Sequence, residues 1–177
     1  MKQLLLSITL LFSTIAMQAQ ETDPWTKYMT PLSTHKFLSR YTGNFEMEIK
    51  MWMNEGKEPM IVKVNSKHDT ILGGRFLEMK QAGNMMGMDY QSIMTLGFNN
   101  TDEKFAMTTL TNMGTGILSL HGNWDVENKV ANLTGQMTNP VSKNKINVRQ
   151  KITFLDDNTI LIENYDQEGN SQEKKSI

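Results

Sequence analysis

The sequence predicts an all-β protein: one antiparallel up-and-down barrel of about nine or ten strands, with a short helix near residues 34–40. Three observations predict it. Apolar and polar residues alternate strictly in several segments, most clearly with Phe45, Met47, Ile49, Met51 and Met53 on one face and Glu46, Glu48, Lys50 and Trp52 on the other. Turn-forming clusters recur at intervals of about a dozen residues, a spacing that suits consecutive hairpins. The 177 residues show no repeat, linker or second composition regime, which points to a single domain.

The elements follow in order. Residues 1–19 read as a secretory signal peptide: Lys2 is the charged start, Leu4 to Ile15 the apolar stretch, and Ala16 to Gln20 the small, polar cleavage region. Its apolar run is short for a bilayer span, so no transmembrane segment is expected after cleavage. Residues 20–34, with Pro24 and Pro31, form an N-terminal arm ahead of a barrel domain at 35–177. Ser33 or Thr34 can cap the short helix, which places Phe37 and Tyr41 on one face. Strands are predicted over about 44–53, 60–70, 75–82, 88–98, 104–112, 117–124, 129–138, 145–154 and 159–166, with a stub at 171–177. Asn54-Glu-Gly56, Asn99-Asn100, Gly114-Thr-Gly116, Glu127-Asn128, Asn139-Pro140, Asp156-Asp157-Asn158 and Glu168-Gly169-Asn170 supply the turns. In the third strand both faces are mixed, Arg75-Leu77-Met79 against Phe76-Glu78-Lys80, so its inward side stays open.

Composition narrows the function classes. There is no cysteine, which removes disulfides, thiolate metal sites, thiol nucleophiles and a lipid-modified N-terminal cysteine. The net charge is −1, and cleavage after Ala19 removes one lysine and no acid, taking it to −2. Interspersed signs near neutrality lack the basic footprint that nucleic acid needs. The expected location is therefore the periplasm or the extracellular space.

Several segments together resemble a largely bacterial family known as domain of unknown function 1579. They are His35-Lys-Phe-Leu38 with Gly43-Asn-Phe45, Gly73-Gly-Arg-Phe76, Gly83-Asn-Met-Met-Gly-Met88, Leu96-Gly-Phe-Asn-Asn100, Met113-Gly-Thr-Gly116, Asn139-Pro140, and Tyr165-Asp166 with Gly169. The resemblance implies a calycin-type barrel, similar in architecture to lipocalins and fatty-acid-binding proteins. It implies no activity, since one fold hosts many functions.

Candidate chemistry is sparse. Fifteen methionines, among them Met85-Met86-x-Met88, would suit Cu(I), yet Met also fills irregular apolar gaps, and packing is the stronger reading. His35 belongs to the short helix as a cap or surface group, His68 shares a face with Val62 and Val64, and His121 shares one with Ile117 and Ser119. No spacing supports a metal, and no cofactor is expected. Two glycines before Arg75 allow a tight bend that would set its guanidinium at a strand entrance, to receive a ligand anion or to bind loop carbonyls. No nucleophile elbow or catalytic spacing occurs.

The favoured reading is an exported barrel that binds an apolar or amphipathic small molecule in its lumen. Phe45, Met47, Ile49 and Met51, with Val62, Val64, Tyr90, Met94 and Leu96, would line it, and Arg75 or His68 would anchor a polar end. Two other readings stay open: a non-catalytic envelope interaction protein with a filled barrel, and a haem-binding or enzymatic site at the barrel mouth around His68, Arg75 and Tyr90.

Overall fold

Short turns rich in Gly, Asn and Asp return each strand alongside its predecessor, so chain order becomes sheet order. The computed structural model describes residues 23–54 and 56–177; the signal-peptide reading of residues 1–19 lies outside them. Ten antiparallel strands run in order: β1 (Gly43–Met51), β2 (Met60–Ile71), β3 (Phe76–Met85), β4 (Met88–Asn99), β5 (Lys104–Thr111), β6 (Leu118–Asp125), β7 (Val130–Thr138), β8 (Lys145–Asp156), β9 (Thr159–Glu168) and β10 (Lys174–Lys175). The turn between Met85 and Met88 has only two residues, Met86 and Gly87, and both take positive φ (55° and 82°). That geometry matches the right-handed twist of the flanking strands.

The sheet curls until its ends approach. Beyond β1, the Trp52 N–H donates to the Ser176 carbonyl at 3.1 Å, while Ser176 N–H and Asn164 N–H tie the last residues to β9. One end of the curled sheet, called lower here, carries the start of β1 and the helices. The other, upper end carries the β1–β2 and β3–β4 turns.

Two short helices precede the sheet, α1 (Pro24–Met29) and α2 (Ser33–Leu38), followed by a 3-10 turn over Ser39–Tyr41. The arm thus contains a helix that alternation could not reveal. Asp23 caps it, accepting from the Thr26 N–H at 2.9 Å, and Pro24 sits at its first turn, where a missing N–H costs nothing. Helix α2 starts without a hydroxyl cap. Instead the Leu32 N–H donates to His35 Nδ1 at 3.1 Å, so the imidazole takes the part that Glu plays in a capping box. His35 is therefore a cap, and it is also buried.

The arm is held by backbone carbonyls. Buried Asn100 donates through Nδ2 to the carbonyls of Lys27 and Thr30, both at 2.8 Å, and the Arg75 guanidinium reaches those of Leu72 and Met29. Asn100→Ala is expected to lower stability by about 1–2 kcal/mol, because it strips two part-buried carbonyls of their donor. Hydrogen exchange should accelerate in residues 23–30 and remain slow in β6 and β7.

The inward faces of the strands build two packed regions. Tyr41, Phe105 and Phe154 are fully buried in the lower one, joined by Trp124 and by Phe37 from α2. Ring centroids stand 4.8 Å apart for Tyr41–Phe154, 5.0 Å for Phe37–Phe154 and 5.2 Å for Phe105–Trp124. Each such side chain contributes about 1.5–3 kcal/mol by burial, so this cluster closes the lower end firmly. The upper region is smaller: Ile49, Val64 and Met85, with Met47, Met51, Val62, Tyr90 and Ile177 packed around them.

Strand β3 resolves its ambiguity by turning Leu77, Met79 and Gln81 inward. Phe76 faces out, and it lies over Gly97, where an added Cβ would meet the ring at 2.5 Å. An aromatic on the outer surface is what blurred the pattern. The stripe on β1 also stops at Met51, because the strand ends there and Met53 is 69% exposed.

Candidate functional site

Alternation places polar as well as apolar residues on the inner face, and the register shows where they meet. Phe45, Ser66, Gln81, Ser92 and Thr111 occupy one continuous row across β1 to β5. Gln150 and Asn164 are partners on β8 and β9, with Asp166 one inward step above Asn164. Gln81, Ser92, Gln150 and Asn164 are each the third inward residue below the upper end of its strand. They form a polar belt between the aromatic lower core and the methionine-rich upper region.

On one side of the belt the hydrogen bonds have a fixed direction. The Tyr41 carbonyl can only accept, so His68 Nδ1 carries the proton and donates to it at 3.1 Å. His68 Nε2 then accepts from the Ser66 hydroxyl at 2.9 Å, and Ser66 Oγ accepts from Gln81 Nε2 at 3.2 Å. Phe45 stacks on the imidazole at 4.2 Å. Across the belt, Gln150 Nε2 donates to Asn164 Oδ1 at 2.6 Å. The carbonyl oxygens of Gln81 and Gln150 have no hydrogen-bond partner among the described residues, although each side chain is only 3% exposed. Leaving a buried acceptor unpaired costs about 1–3 kcal/mol.

Above the belt the inner wall formed by β1 to β4 is apolar. Ile49, Val64 and Met85 are buried, whereas Met47, Met51, Val62 and Tyr90 are half-buried, so the upper mouth is accessible to solvent. Met94 and Leu96 belong to the lower core. Of the residues read from the sequence as lumen lining, the structure thus gathers Phe45, Met47, Ile49, Met51, Val62, Val64, His68 and Tyr90 around the belt and mouth. Arg75 stands apart, exposed at the β2–β3 turn with its guanidinium on loop carbonyls. His121 is exposed on the outer face. Two hollows also lie outside the lumen, one lined by Glu46, Lys63, Asn65 and Gly83, the other by Lys27, Leu32, Phe98 and Glu103.

Sequence reading missed Gln81, Gln150, Asn164 and Asp166 as site residues, although the signal was present. Ser66, Ser92 and Gln150 interrupt apolar alternation at inward positions, where a polar side chain must find a partner or bear the cost of burial.

Burial also sets the protonation of the belt. Desolvation holds the His68 pKa below its ordinary 6.5, opposed by its hydrogen bond to Tyr41, and it lowers that of His35 as well. Both imidazoles are neutral in the folded protein at neutral pH. The unfolded chain takes up protons at these sites as pH falls through 6.5, while the folded chain resists until lower pH. Stability present above 6.5 is therefore lost on acidification. Asp166 acts in the opposite sense: desolvation raises its pKa above 3.8, against a lowering hydrogen bond from Ser176, so its protonation favours the folded state. Urea midpoints measured between pH 7.5 and 5 should fall, and His68→Gln should flatten that slope.

Ten antiparallel strands in meander order around a side-chain-lined lumen define an up-and-down β-barrel-like protein. The model of the family described as "Protein of unknown function (DUF1579)" matches residues 30–177, and the chain belongs to that family. No curated protein matches it. No helix among the described residues is long and apolar enough to cross a membrane.

Proposed function

We propose that this protein binds an apolar or amphipathic small molecule in the upper half of its barrel, and that it does so in an exported location, as its first nineteen residues suggest. One observation carries the reading: two buried amide oxygens, on Gln81 and Gln150, without a hydrogen-bond partner among the described residues, beneath the half-buried apolar wall of β1 to β4. Protein interiors rarely hold such atoms without a reason, and a bound molecule is one. Methionine suits the wall because its unbranched, polarizable side chain adapts to irregular shapes. The haem alternative has less support, since both ring nitrogens of His68 are hydrogen-bonded and axial ligation would have to displace the Ser66 hydroxyl.

The test pairs native mass spectrometry of the purified protein with titration of the uncharged lipophilic fluorophore N-phenyl-1-naphthylamine. A co-purified small molecule, or saturable fluorescence enhancement abolished by Val64→Trp, supports lumen binding. Neither adduct nor uptake would end it.

A further inference from the structure

We propose that the lower end of the barrel docks on a lipid bilayer surface, whatever the lumen holds, through an apolar and aromatic patch that α1 and the β2–β3 turn build together.

Helix α1 contributes nothing to the core. None of its residues is buried, and Trp25, Tyr28 and Met29 fall on one face at i, i+3 and i+4. Trp25 is 68% exposed, the other two more than half. The Trp25 and Tyr28 rings meet edge-on at 6.0 Å. A six-residue helix with nothing to bury has little stability of its own in water. Yet it is fixed from outside, because Asn100 holds the carbonyls of Lys27 and Thr30 and Arg75 holds that of Met29. The protein thus keeps an unburied aromatic helix in place.

The turn beside it does the same. Leu72 is 69% exposed at positive φ (51°), a backbone conformation that disfavours any residue with a Cβ. Gly or Asn would take that position more easily. The same Arg75 guanidinium bonds the Leu72 carbonyl at 3.0 Å, so one side chain locks the turn and the helix to each other. Gly73 makes room for it: a Cβ there would stand 2.9 Å from Arg75 Nη1. Single exposed apolar residues are ordinary, but a joined group from two elements marks a contact surface.

Three observations favour a bilayer as the occupant. Trp and Tyr, with an apolar body and a polar tip, suit the boundary between acyl chains and water. The charges of the lower end are of both signs, with Lys27 on Glu103 at 3.7 Å and Arg40 on Asp157 at 3.3 Å. That leaves no field of one sign to recruit a charged partner. The apolar run from Leu4 to Ile15 leads into Asp23, the cap of α1, so the most membrane-compatible part of the chain enters the fold at this patch. Docking by this end holds the upper mouth toward water.

The experiment mixes the purified exported protein with large unilamellar vesicles of dioleoylphosphatidylcholine. Flotation is expected to carry the protein with the vesicles, and its affinity should change less than about twofold between about 0.1 and about 0.5 M sodium chloride. Trp25→Ala/Tyr28→Ala should weaken binding about fivefold or more, and Leu72→Gly about threefold, although the glycine relieves backbone strain. None of these side chains is buried, so the variants should keep the parent's melting temperature and lost binding reads the patch. Because the chain has no cysteine, Leu72→Cys and Val141→Cys each accept a single environment-sensitive nitrobenzoxadiazole label. Vesicles should brighten and blue-shift the label at the lower-end position 72 and leave the one at the upper-end position 141 unchanged. Absence of flotation, labels that respond alike, or binding that survives all three patch substitutions would overturn the proposal. A concentration-dependent dimer that Leu72→Gly dissociates would overturn it too, and assign the patch to a second copy of the chain.

Discussion

Gly122→Ala is expected to destabilise the protein by about 3 kcal/mol or more, enough to lower its melting temperature by roughly 6–12 °C or to prevent folding. Gly122 lies on β6, between Phe105 on β5 and Leu133 on β7 in the register, with its missing side chain directed at the neighbouring backbone. A Cβ there would stand 1.7 Å from the Asn132 carbonyl oxygen and 2.8 Å from Leu133 Cα. A side-chain tip could swing aside, but a strand backbone cannot move without breaking its ladder. Gly135 repeats the arrangement on β7, where a Cβ would meet the Ser119 carbonyl oxygen at 2.3 Å. The two glycines mark a close backbone approach that lets the sheet curl around a narrow core. Gly114→Ala is the control: nothing lies within 4 Å of a Cβ built there, and its backbone needs no positive φ. Chemical denaturation of both variants checks the contrast, and equal stabilities would refute the close-approach account.

Much of this fold was legible because the period-two signal is strong wherever one face is buried and the other solvated. β1, β2, β4 and β8 show clean alternation, and their boundaries fall within two residues of those expected from the sequence. β3 was not legible because Phe76 faces outward over Gly97, a pairing between strands that one strand's pattern cannot contain. Helix α1 escaped because it buries none of its residues and so leaves no periodic trace; only Asp23-Pro24 announces it.

The site divides in the same way. The apolar mouth was readable residue by residue, since Met47, Ile49 and Met51 lie along one strand. The belt was not, because Gln81, Gln150 and Asn164 meet only when strands far apart in sequence curl into one wall. Arg75 drew attention through its glycines, yet a planar fork of donors serves the carbonyls of Leu72 and Met29 as readily as a ligand. The belt breaks the local rule that inward means apolar. Such violations gather where a protein binds or reacts, while the aromatic lower core, which obeys the rule, supplies the stability that tolerates them.

That division of labour gives the second large effect. Phe154→Ala is expected to cost about 3–5 kcal/mol, against about 1 kcal/mol for a volume-conserving Phe154→Leu. Phe154 is 2% exposed and stands where three aromatic contacts converge: Phe37 at 5.0 Å, Tyr41 at 4.8 Å and Trp124 at 5.9 Å. Truncation leaves a void ringed by side chains from α2, the 3-10 turn, β6 and β8, and rigid rings fill such a void poorly. Because Phe37 is the contact contributed by α2, a Phe37/Phe154 double-mutant cycle should show a coupling of about 0.5–1.5 kcal/mol, as edge-to-face pairs do. The polar belt lies on the far side of this plug from α2. Phe154→Leu should therefore leave N-phenyl-1-naphthylamine binding at the upper mouth within twofold of the parent while the melting temperature falls. If affinity collapses with so small a loss of stability, the lower core and the mouth are one mechanical unit, and the separation of a rigid floor from an adaptable wall does not hold.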